Sequence, residues 1–467
     1  MKGIRRVQLS HMVRATSAVF DEPNLVSAAG LVPVLALAES AGLAVLAQQQ
    51  LTVPADKGAN AGLKVALLVA GMVAGADSID DMGLLRHGGM GRVFTAAYAP
   101  STLGSFLRAF TFGHVRQLDA VAARFLAGLN GRTPILGSTS TDPASQVLVD
   151  VDDTIVEVHG YAKQGAGFGY SKVRGLNALL ATVSTPQAAP VILASRLRKG
   201  SCGSPRGVKR LVADAAAQTR RLLPGSRPLV RMDSAFYGRG PVGAAITGGC
   251  DVSVTVRQDA TVRAAITRID DQAWIPIEYP DAVFDEPSGR WISRAEVAEI
   301  DFTAFAAQKP VEQVPGRLIV RRIPDLNAFP GQDGLFDSWR FHAFFTTSDP
   351  NWLDTVAADQ IHRGHAIIEQ VHADLKASAL AHLPSGKFTA NAAWLVLAVI
   401  AFNLTRAAAT LTGSALRKAT SGTIRRRLIN VPARSATSAR RLTLHLPLAW
   451  PWQQAWTQLF HRACGPP

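Results

Sequence analysis

Acidic residues are missing from the end of this chain. The last of them is Asp374, and twelve lysines and arginines follow it, so this segment holds +12 of the net charge of +14. A surface without carboxylates excludes cation binding there and indicates a polyanionic partner, although a basic tail that only confers solubility is the plainer alternative. We expect the segment to contact DNA phosphates, with Arg425, Arg426 and Arg427 as its predicted contacts.

Cysteines are also few, and none of the three has a spacing that suggests a pair. Cys202, Cys250 and Cys464 therefore predict neither a disulfide framework nor a zinc knuckle, which fits a reducing compartment. The longest apolar runs, Val65–Ala76 and Ala392–Phe402, are too short to span a bilayer, and no continuous apolar segment follows the basic N-terminus. We expect buried helices, no signal peptide, no membrane partner and a cytoplasmic, nucleoid-associated protein.

The hydrophobic pattern changes several times along the chain and divides it into five regions. A hydrophobic content of 48% with 18% charged residues is typical of buried globular structure. Helical spacing, β-branched runs and Pro- and Asp-containing turns predict an α/β protein. Its regions are a helical, DNA-end-binding N-terminal domain (1–140), a first core part with strands and helices (141–257), a β-rich insertion (258–345), core helices (346–410) and a basic C-terminal region (411–467).

Three carboxylates occur in two different kinds of sequence pattern. Asp152 and Asp233 follow short apolar runs, Val-Leu-Val-Asp-Val and Pro-Leu-Val-Arg-Met, whereas Glu369 lies within a helical pattern. Acids from two strands and from a helix packed over them can converge on two divalent cations, and oxygen ligands select Mg²⁺ or Mn²⁺. We predict that these three residues are the metal ligands and catalytic residues of an enzyme that acts on DNA. For each acid taken singly, a turn or a helix cap is the alternative.

The helical pattern around Glu369 places polar residues at alternating spacings of three and four. His362, His365, Glu369, His372 and Lys376 therefore lie on one face of the predicted helix. We predict that His362, His365 and Lys376 bind phosphates next to the metal site. A solvated polar stripe and a zinc site built from the three histidines remain alternatives.

The order Asp, Asp, Glu resembles the DDE transposases of bacterial insertion sequences. Asp152-Asp-Thr154 is similar to the first motif of this family, Asp-x-Thr. Met232-Asp233-Ser-Ala-Phe-Tyr-Gly238 is similar to the second, a strand-end Asp-Ser-x-Phe. The resemblance covers about residues 145–410.

One branch of that family carries a β-rich insertion before the catalytic helix and a Tyr-x₂-Arg-x₃-Glu-x₆-Lys signature. Counting from Glu369, Lys376 occupies the lysine position, whereas His365 and His362 stand where the signature has arginine and tyrosine. The neighbouring Arg363 is a candidate for the missing cation. The two histidines put the phosphate contacts of the signature in doubt more than the metal ligand.

The resemblance implies a ribonuclease-H-like mixed sheet core with a β-rich insertion, a helical N-terminal domain and a helical basic C-terminal region. It implies cut-and-paste transposition with two Mg²⁺ ions, for which Mn²⁺ can substitute, by a homodimer on paired DNA ends. The DNA partners would be the terminal inverted repeats of the element and a target. Some relatives stack a flipped base on an aromatic residue of the insertion, for which Trp274, Trp291 and Trp339 are candidates, although each is better explained as a core residue.

Two other functions remain open at this point. Asp150-Val-Asp152-Asp-Thr154 also matches the Asp-x-Asp-x-Thr motif of haloacid-dehalogenase-type phosphatases, with Asp150 as nucleophile, but no Gly-Asp-x-x-x-Asp follows and the basic C-terminus has no purpose there. The second alternative is a domesticated protein that binds DNA without cutting it. Such a protein would keep the basic surface and lose the dependence on metal.

Overall fold

The N-terminal region is mostly helical, because its apolar residues recur at helical spacing. The structure is a computed structural model that describes residues 17–94, 96–137, 146–285, 289–324, 339–439 and 441–465. A two-residue strand and six helices come first: β1 (Leu25–Val26), α1 (Leu31–Ser40), α2 (Leu43–Gln50), α3 (Ala55–Gly58), α4 (Ala61–Ala74), α5 (Pro100–Arg108) and α6 (Phe112–Arg132). The side chain of Thr111 caps α6 by accepting a hydrogen bond from the backbone of His114.

A mixed sheet follows, as the β-branched runs predict. Its elements are β2 (Leu148–Glu157), β3 (Gly167–Phe168), β4 (Arg174–Thr185), β5 (Ala188–Lys199), α7 (Val208–Leu222), β6 (Leu229–Met232), α8 (Arg239–Thr247) and β7 (Asp251–Thr255). β2 pairs antiparallel with β4, and β4 pairs antiparallel with β5. On its other side β2 pairs parallel with β6, which pairs parallel with β7. Helices α7 and α8 provide the crossovers that parallel strands require.

The predicted β-rich insertion extends this sheet instead of forming one of its own. It contains α9 (Ala260–Ile266), β8 (Ile275–Asp285), β9 (Arg290–Ala304), β10 (Val314–Pro324) and β11 (Trp339–Thr346). β11 pairs antiparallel with β7, and β10, β9 and β8 continue outward in that order. The result is a ten-stranded mixed sheet, which establishes the α/β class.

The single helix predicted around Glu369 is interrupted. The structure has α10 (Thr355–Arg363), a turn of 3-10 helix over Gly364–Ala366, and α11 (Ile367–Lys376). Arg231 of β6 reaches this break and donates to the carbonyl of Ile361. A Cβ atom at Gly364 would lie 2.8 Å from Nη1 of Arg231, so a larger residue there would displace the guanidinium. The five polar residues of the predicted stripe are therefore divided among α10, the 3-10 turn and α11.

Helix α12 (Phe388–Leu411) is apolar on all sides because it is buried on all sides. By length and composition it is long enough to cross a membrane, but the whole of its apolar segment is covered by the protein itself. It packs against α4, α6 and β5. One hydrophobic core accordingly includes Leu68 of α4, Val151 of β2 and Leu397 of α12.

The C-terminal region is only partly helical, so the expectation of a helical region is wrong in this respect. It contains α13 (Ser421–Ile424), β12 (Ala433–Ser438), β13 (Arg441–His445) and α14 (Gln453–Cys464). β12 lies between β13 and β1, with Val26 paired to Ala433, so a small sheet joins the two ends of the chain. Helix α14 packs against α1.

Candidate active site

Asp152 and Asp233 lie side by side on neighbouring parallel strands. Val151 of β2 is paired with Met232 of β6, and an aspartate comes next on each strand. Strand β6 ends there, so Asp233 begins a turn of 3-10 helix, whereas β2 continues through Asp152 to Glu157. The two side chains are 20% (Asp152) and 61% (Asp233) exposed, and both line a cleft of about 1150 Å³.

The surroundings of Asp233 disfavour its negative charge. Burial raises the pKa of this carboxyl above its ordinary value, the nearby His365 partly offsets the increase, and the carboxylates of Asp152 and Asp153 raise it further. Carboxylates that share a cleft repel each other, and a cation between them would remove that cost. The pair is electrostatically suited to a divalent ion.

The helix that carries Glu369 faces this pair of aspartates through two histidines. Nε2 of His365 lies 3.7 Å from Oδ1 of Asp233, and Nε2 of His372 lies 3.4 Å from Oδ2 of Asp152. Glu369 lies between these two histidines in the sequence, in the first turn of α11. Its side chain is exposed and does not line the cleft of the two aspartates. Within the described residues, however, no three His, Cys, Asp or Glu side chains are close enough together to hold a metal ion.

The donor atoms nevertheless suit a divalent metal. Nε2 of His365 and both ring nitrogens of His372 are buried without a hydrogen-bond partner, and a buried polar group in this state costs about 1–3 kcal/mol. Such atoms next to two carboxylates indicate a polar ligand in the cleft. The carboxylate oxygens of Asp152, Asp233 and Glu369 are the donors that Mg²⁺ and Mn²⁺ prefer. These residues therefore fit the predicted ions in chemistry, and two of them, Asp152 and Asp233, line the same cleft.

A buried charge cluster fixes the helix against the strands, and the sequence analysis missed it. Asp150 is completely buried and accepts from Arg231 with both oxygens, at 2.7 Å from Nε and 2.8 Å from Nη2. Nδ1 of His365 lies 2.8 Å from Oδ1 of the same aspartate. Because Arg231 also donates to Ile361, the cluster joins β2, β6, α10 and the turn before α11. The sequence did contain a signal for this cluster, because Asp150 and Arg231 each stand within an apolar strand. Charged side chains are rarely buried without a partner, so the two could have been expected to pair.

The same cluster determines the charge of His365. Burial alone would lower the pKa of this imidazole, but the hydrogen bond to Asp150, together with the charges of Asp150 and Asp233, outweighs burial and raises it above its ordinary value. His365 thus presents a ring held by Asp150 on one side and directed at Asp233 on the other.

Comparison with known proteins identifies the family of the chain. The sequence profile described as "Transposase DDE domain group 1" matches residues 11–463. The chain belongs to the DDE transposase family. Among solved structures it is similar to that of a piggyBac transposase synaptic complex with hairpin DNA, at 9% identity and a TM-score of 0.43, over 84% of this chain and 79% of that one. No curated protein matches the chain.

Membership in the transposase family leaves no support for the phosphatase alternative. In this transposase Asp150 is buried and bound by Arg231, so it has no access to a substrate as a nucleophile. The zinc site built from three histidines is not supported either. His362 contacts Ser253 and Thr255, whereas His365 and His372 lie near the aspartates. Among the described residues, no three His, Cys, Asp or Glu side chains could hold a metal ion.

His362 of the transposase is part of the packing between α10 and the sheet. Its ring nitrogens lie 2.8 Å from Oγ of Ser253 and 3.0 Å from Oγ1 of Thr255, and its ring stacks on Phe344 with centroids 4.0 Å apart. Burial, followed by the nearby positive charges of His365 and two arginines, lowers the pKa of His362 to about 3. A phosphate contact by His362 remains a prediction. It is not favoured, because both ring nitrogens already contact the hydroxyls of Ser253 and Thr255.

A pH prediction follows from the neutral state of His362. The unfolded chain takes up a proton near the ordinary pKa of 6.5, whereas the folded transposase does so only near 3. The stability that His362 contributes is thus complete above about pH 6.5 and decreases as the pH falls towards 3. We expect the difference in free energy of unfolding between wild type and His362→Gln, measured by urea titration, to shrink between about pH 7 and pH 5. A constant difference would show that His362 titrates normally.

The other predicted phosphate contacts differ in their availability. Lys376 lines the cleft, where burial lowers its pKa and Asp152 opposes that effect. Arg363 is already engaged, because its Nε lies 2.8 Å from Oδ2 of Asp359 and its guanidinium lies over the ring of Tyr279. Lys376 is therefore positioned for a phosphate in the cleft, while Arg363 would have to leave its partners.

The three consecutive arginines of the C-terminal region also differ from one another. Nε of Arg425 donates to the carbonyl of Val73 at 3.2 Å, and the guanidinium of Arg427 lies over the ring of Trp452. Arg426 is exposed. Of the three, Arg426 has its charge in solvent and is the best placed for DNA.

Proposed function

We propose that this transposase cuts DNA at the ends of its element and joins the released 3′-hydroxyl ends to target DNA, which is cut-and-paste transposition. The observation that carries the proposal is the adjacency of Asp152 and Asp233 in one cleft, with His365 and His372, which flank Glu369 in sequence, within 4 Å of them. The strand order β5-β4-β2-β6-β7, with three antiparallel strands followed by two parallel ones, supports a ribonuclease-H-like core.

The residues of the cleft have distinct parts in this chemistry. Asp152, Asp233 and Glu369 would hold two Mg²⁺ or Mn²⁺ ions. When bound, such ions activate an attacking oxygen and stabilise the leaving oxygen of a phosphodiester. Lys376 neutralises a phosphate beside Asp152, and His365, held by Asp150, keeps Asp233 in place.

The partners follow from charge and from the two-ended nature of the reaction. The DNA partners are the terminal inverted repeats of the element and a target duplex, bound in part by the acid-free C-terminal region. The proposed assembly is a homodimer on paired ends, without a membrane partner. Its proposed location is the bacterial cytoplasm, associated with the nucleoid.

The direct test uses the DNA that flanks this gene. The purified chain is incubated with labelled element ends in Mg²⁺, in Mn²⁺ and in a chelator. Cleavage at the element boundaries that requires a divalent ion is the expected result. Binding of the ends without cutting in either metal would support the domesticated DNA-binding alternative, and neither binding nor cutting would refute both functions.

The salt dependence of binding tests the basic surface separately. If about six of the C-terminal charges contact phosphates, log K should fall against log salt concentration with a slope of roughly −5, because each contact releases counterions. Replacement of Arg426 by alanine should reduce the slope by about one. Arg294→Ala is the matched control, since this exposed arginine lies in the insertion, outside the acid-free C-terminal region, and has Glu278 at 3.5 Å. A flat response to salt would remove the surface from the proposal.

A further inference from the structure

A second cavity lies on the same face of the sheet as the catalytic cleft, towards the beginning of β2. Its volume is about 630 Å³, within the range of about 300–1,000 Å³ that is usual for small-molecule sites. It is enclosed by the turn between β4 and β5, by α10 and α11, and by the end of α12 with the 3-10 turn that follows. We name it the distal cavity, and its walls include Leu148, Pro186, Arg231, Ile361, Ile367 and Arg406.

The buried pair of Asp150 and Arg231 separates the distal cavity from the catalytic cleft. Leu148, Asp150 and Asp152 alternate along β2, so they face the same side of the sheet, with the pair between the two spaces. Arg231 lines the distal cavity while both oxygens of Asp150 accept from it. No described residue lines both spaces. The distal cavity is therefore a site of its own.

Two further cations stand together at the end of the cavity near α12. Arg406 is 7% exposed, and its Nη1 donates to the carbonyl of Ala419, the residue after Lys418. Both cations line the cavity. Asp374 lies 3.3 Å from Nη2 of Arg406, but the same carboxylate accepts from the backbone and the hydroxyl of Ser421 at 2.8 and 2.9 Å. The charge of the arginine is therefore only partly balanced.

The surroundings of Arg406 favour an additional anion. Its Nε is buried without a hydrogen-bond partner, which is the state of a group that awaits a ligand. Burial lowers the pKa of Arg406, and Asp374 opposes that effect. Lys418 is exposed and has no protein partner within the described residues, and no Asp or Glu of that part of the chain lines the cavity. An anion at this end would satisfy the buried donor and both charges.

The rest of the lining indicates an occupant with a flat apolar body and polar edges. Pro186 and Ile367 contribute apolar surface from two sides of the cavity, the strand turn and α11. Gln360 of α10 and Gln370 of α11 are exposed at the rim, and each amide offers donors and an acceptor. A nucleobase has this combination of an apolar face and an edge with donors and acceptors.

We infer that the distal cavity binds a nucleoside monophosphate, with its phosphate at Arg406 and Lys418 and its base against the apolar walls. A phosphate monoester carries a charge of about −1.5 to −2 at pH 7, which two cations match better than they match a carboxylate. Inorganic phosphate alone would leave most of the 630 Å³ unoccupied. The inference is independent of the proposed function, because no residue of the catalytic cleft takes part.

Equilibrium dialysis of the full chain against radiolabelled adenosine monophosphate tests the inference. The experiment is done in a chelator, without DNA, and one saturable site per chain is expected. Adenosine and inorganic phosphate should each bind at least about tenfold more weakly, because each lacks one half of the contacts. Lys418→Ala should weaken binding by about tenfold or more, since it removes a charged donor. Gln360→Leu should weaken it less.

Arg417→Ala is the matched control for Lys418→Ala. Arg417 is the preceding residue in the same 3-10 turn, is also exposed and does not line the cavity, so binding should stay at the wild-type level. Lys418 is the better residue to replace than Arg406, because Arg406 is held in the core by Asp374 and a loss of folding would obscure the result.

The remaining outcomes would overturn the inference in different ways. An equal loss in Arg417→Ala would show attraction to the basic surface in general. Inorganic phosphate that binds as tightly as the nucleotide would refute a role for the base. Displacement of the nucleotide by a short duplex would assign the two cations to DNA binding. Absence of nucleotide binding by the wild-type chain would refute the inference and leave the transposition function as it stands.

Discussion

Replacement of Asp152 or Asp233 by asparagine, or of Glu369 by glutamine, should abolish metal-dependent cleavage of element ends. Each change keeps the shape of the side chain and removes the negative charge that a divalent ion requires. Two-metal chemistry depends on all the ligands together, so a loss of at least about a thousandfold in rate is expected for each variant. Single-turnover cleavage of labelled ends in Mg²⁺ measures the effect.

The same variants should still bind the ends of the element. Most of the proposed phosphate contacts lie elsewhere, in the basic C-terminal region, and removal of a carboxylate would reduce repulsion of DNA. Glu39→Gln is the matched control for Glu369→Gln, because Glu39 is also an exposed glutamate on a helix and lies in α1, away from the cleft. Unchanged cleavage in any of the three variants would remove that residue from the site, whereas loss of binding together with cleavage would indicate misfolding.

The two aspartates could be located from the sequence because their signal is local. A short apolar run followed by Asp-Asp-Thr or by Asp-Ser predicts a strand with a polar position after the run, and parallel neighbours bring such positions together. The strand ends before Asp233, as this pattern suggests, but β2 continues beyond Asp152 to Glu157. The pairing of Val151 with Met232 then places Asp152 beside Asp233. The fold class followed from the same alternation of strands and helices.

The interruption of the catalytic helix was not predictable in this way. The spacing of His362, His365 and Glu369 is that of one continuous helix. At the break, the carbonyl of Ile361 accepts a hydrogen bond from Arg231, which comes from a strand more than a hundred positions earlier. As a result His362 faces Ser253 and Thr255, while His365 faces the aspartates.

The two C-terminal strands, β12 and β13, were not predicted from the sequence for a related reason. β12 is held by pairing with β1 at the opposite end of the chain, and β-propensity depends on such partners more than on the local sequence. Ala433 and Arg434 therefore show no local pattern that distinguishes a strand from a loop. Likewise, nothing in the sequence alone indicated that β11 would pair with β7 and make the insertion continuous with the core sheet.

Replacement of Arg231 by methionine should destabilise the protein more than any other single change near the site. Asp150 is 0% exposed, and without its arginine the carboxylate would keep only His365 as a partner. Removing one member of a buried ion pair and leaving the other unpaired lowers the free energy of unfolding by about 3–5 kcal/mol. The carbonyl of Ile361 would also lose its hydrogen-bond donor. Urea unfolding of wild type and variant measures the difference. Arg294→Met, which breaks an exposed pair with Glu278, is the control and should cost no more than about 1 kcal/mol.

The double variant Asp150→Leu with Arg231→Met separates folding from the positioning of the catalytic helix. Replacing both members of a buried pair by apolar side chains is often neutral or stabilising, so most of the lost stability should return. Cleavage should not return with it, because His365 loses the oxygen 2.8 Å from its Nδ1 and with it the contact that directs its ring at Asp233. Recovery of cleavage along with stability would show that the Asp150–Arg231 pair only supports the fold. Recovery of neither would mean that the helix break at Gly364 itself depends on the arginine, since only its guanidinium fills that gap.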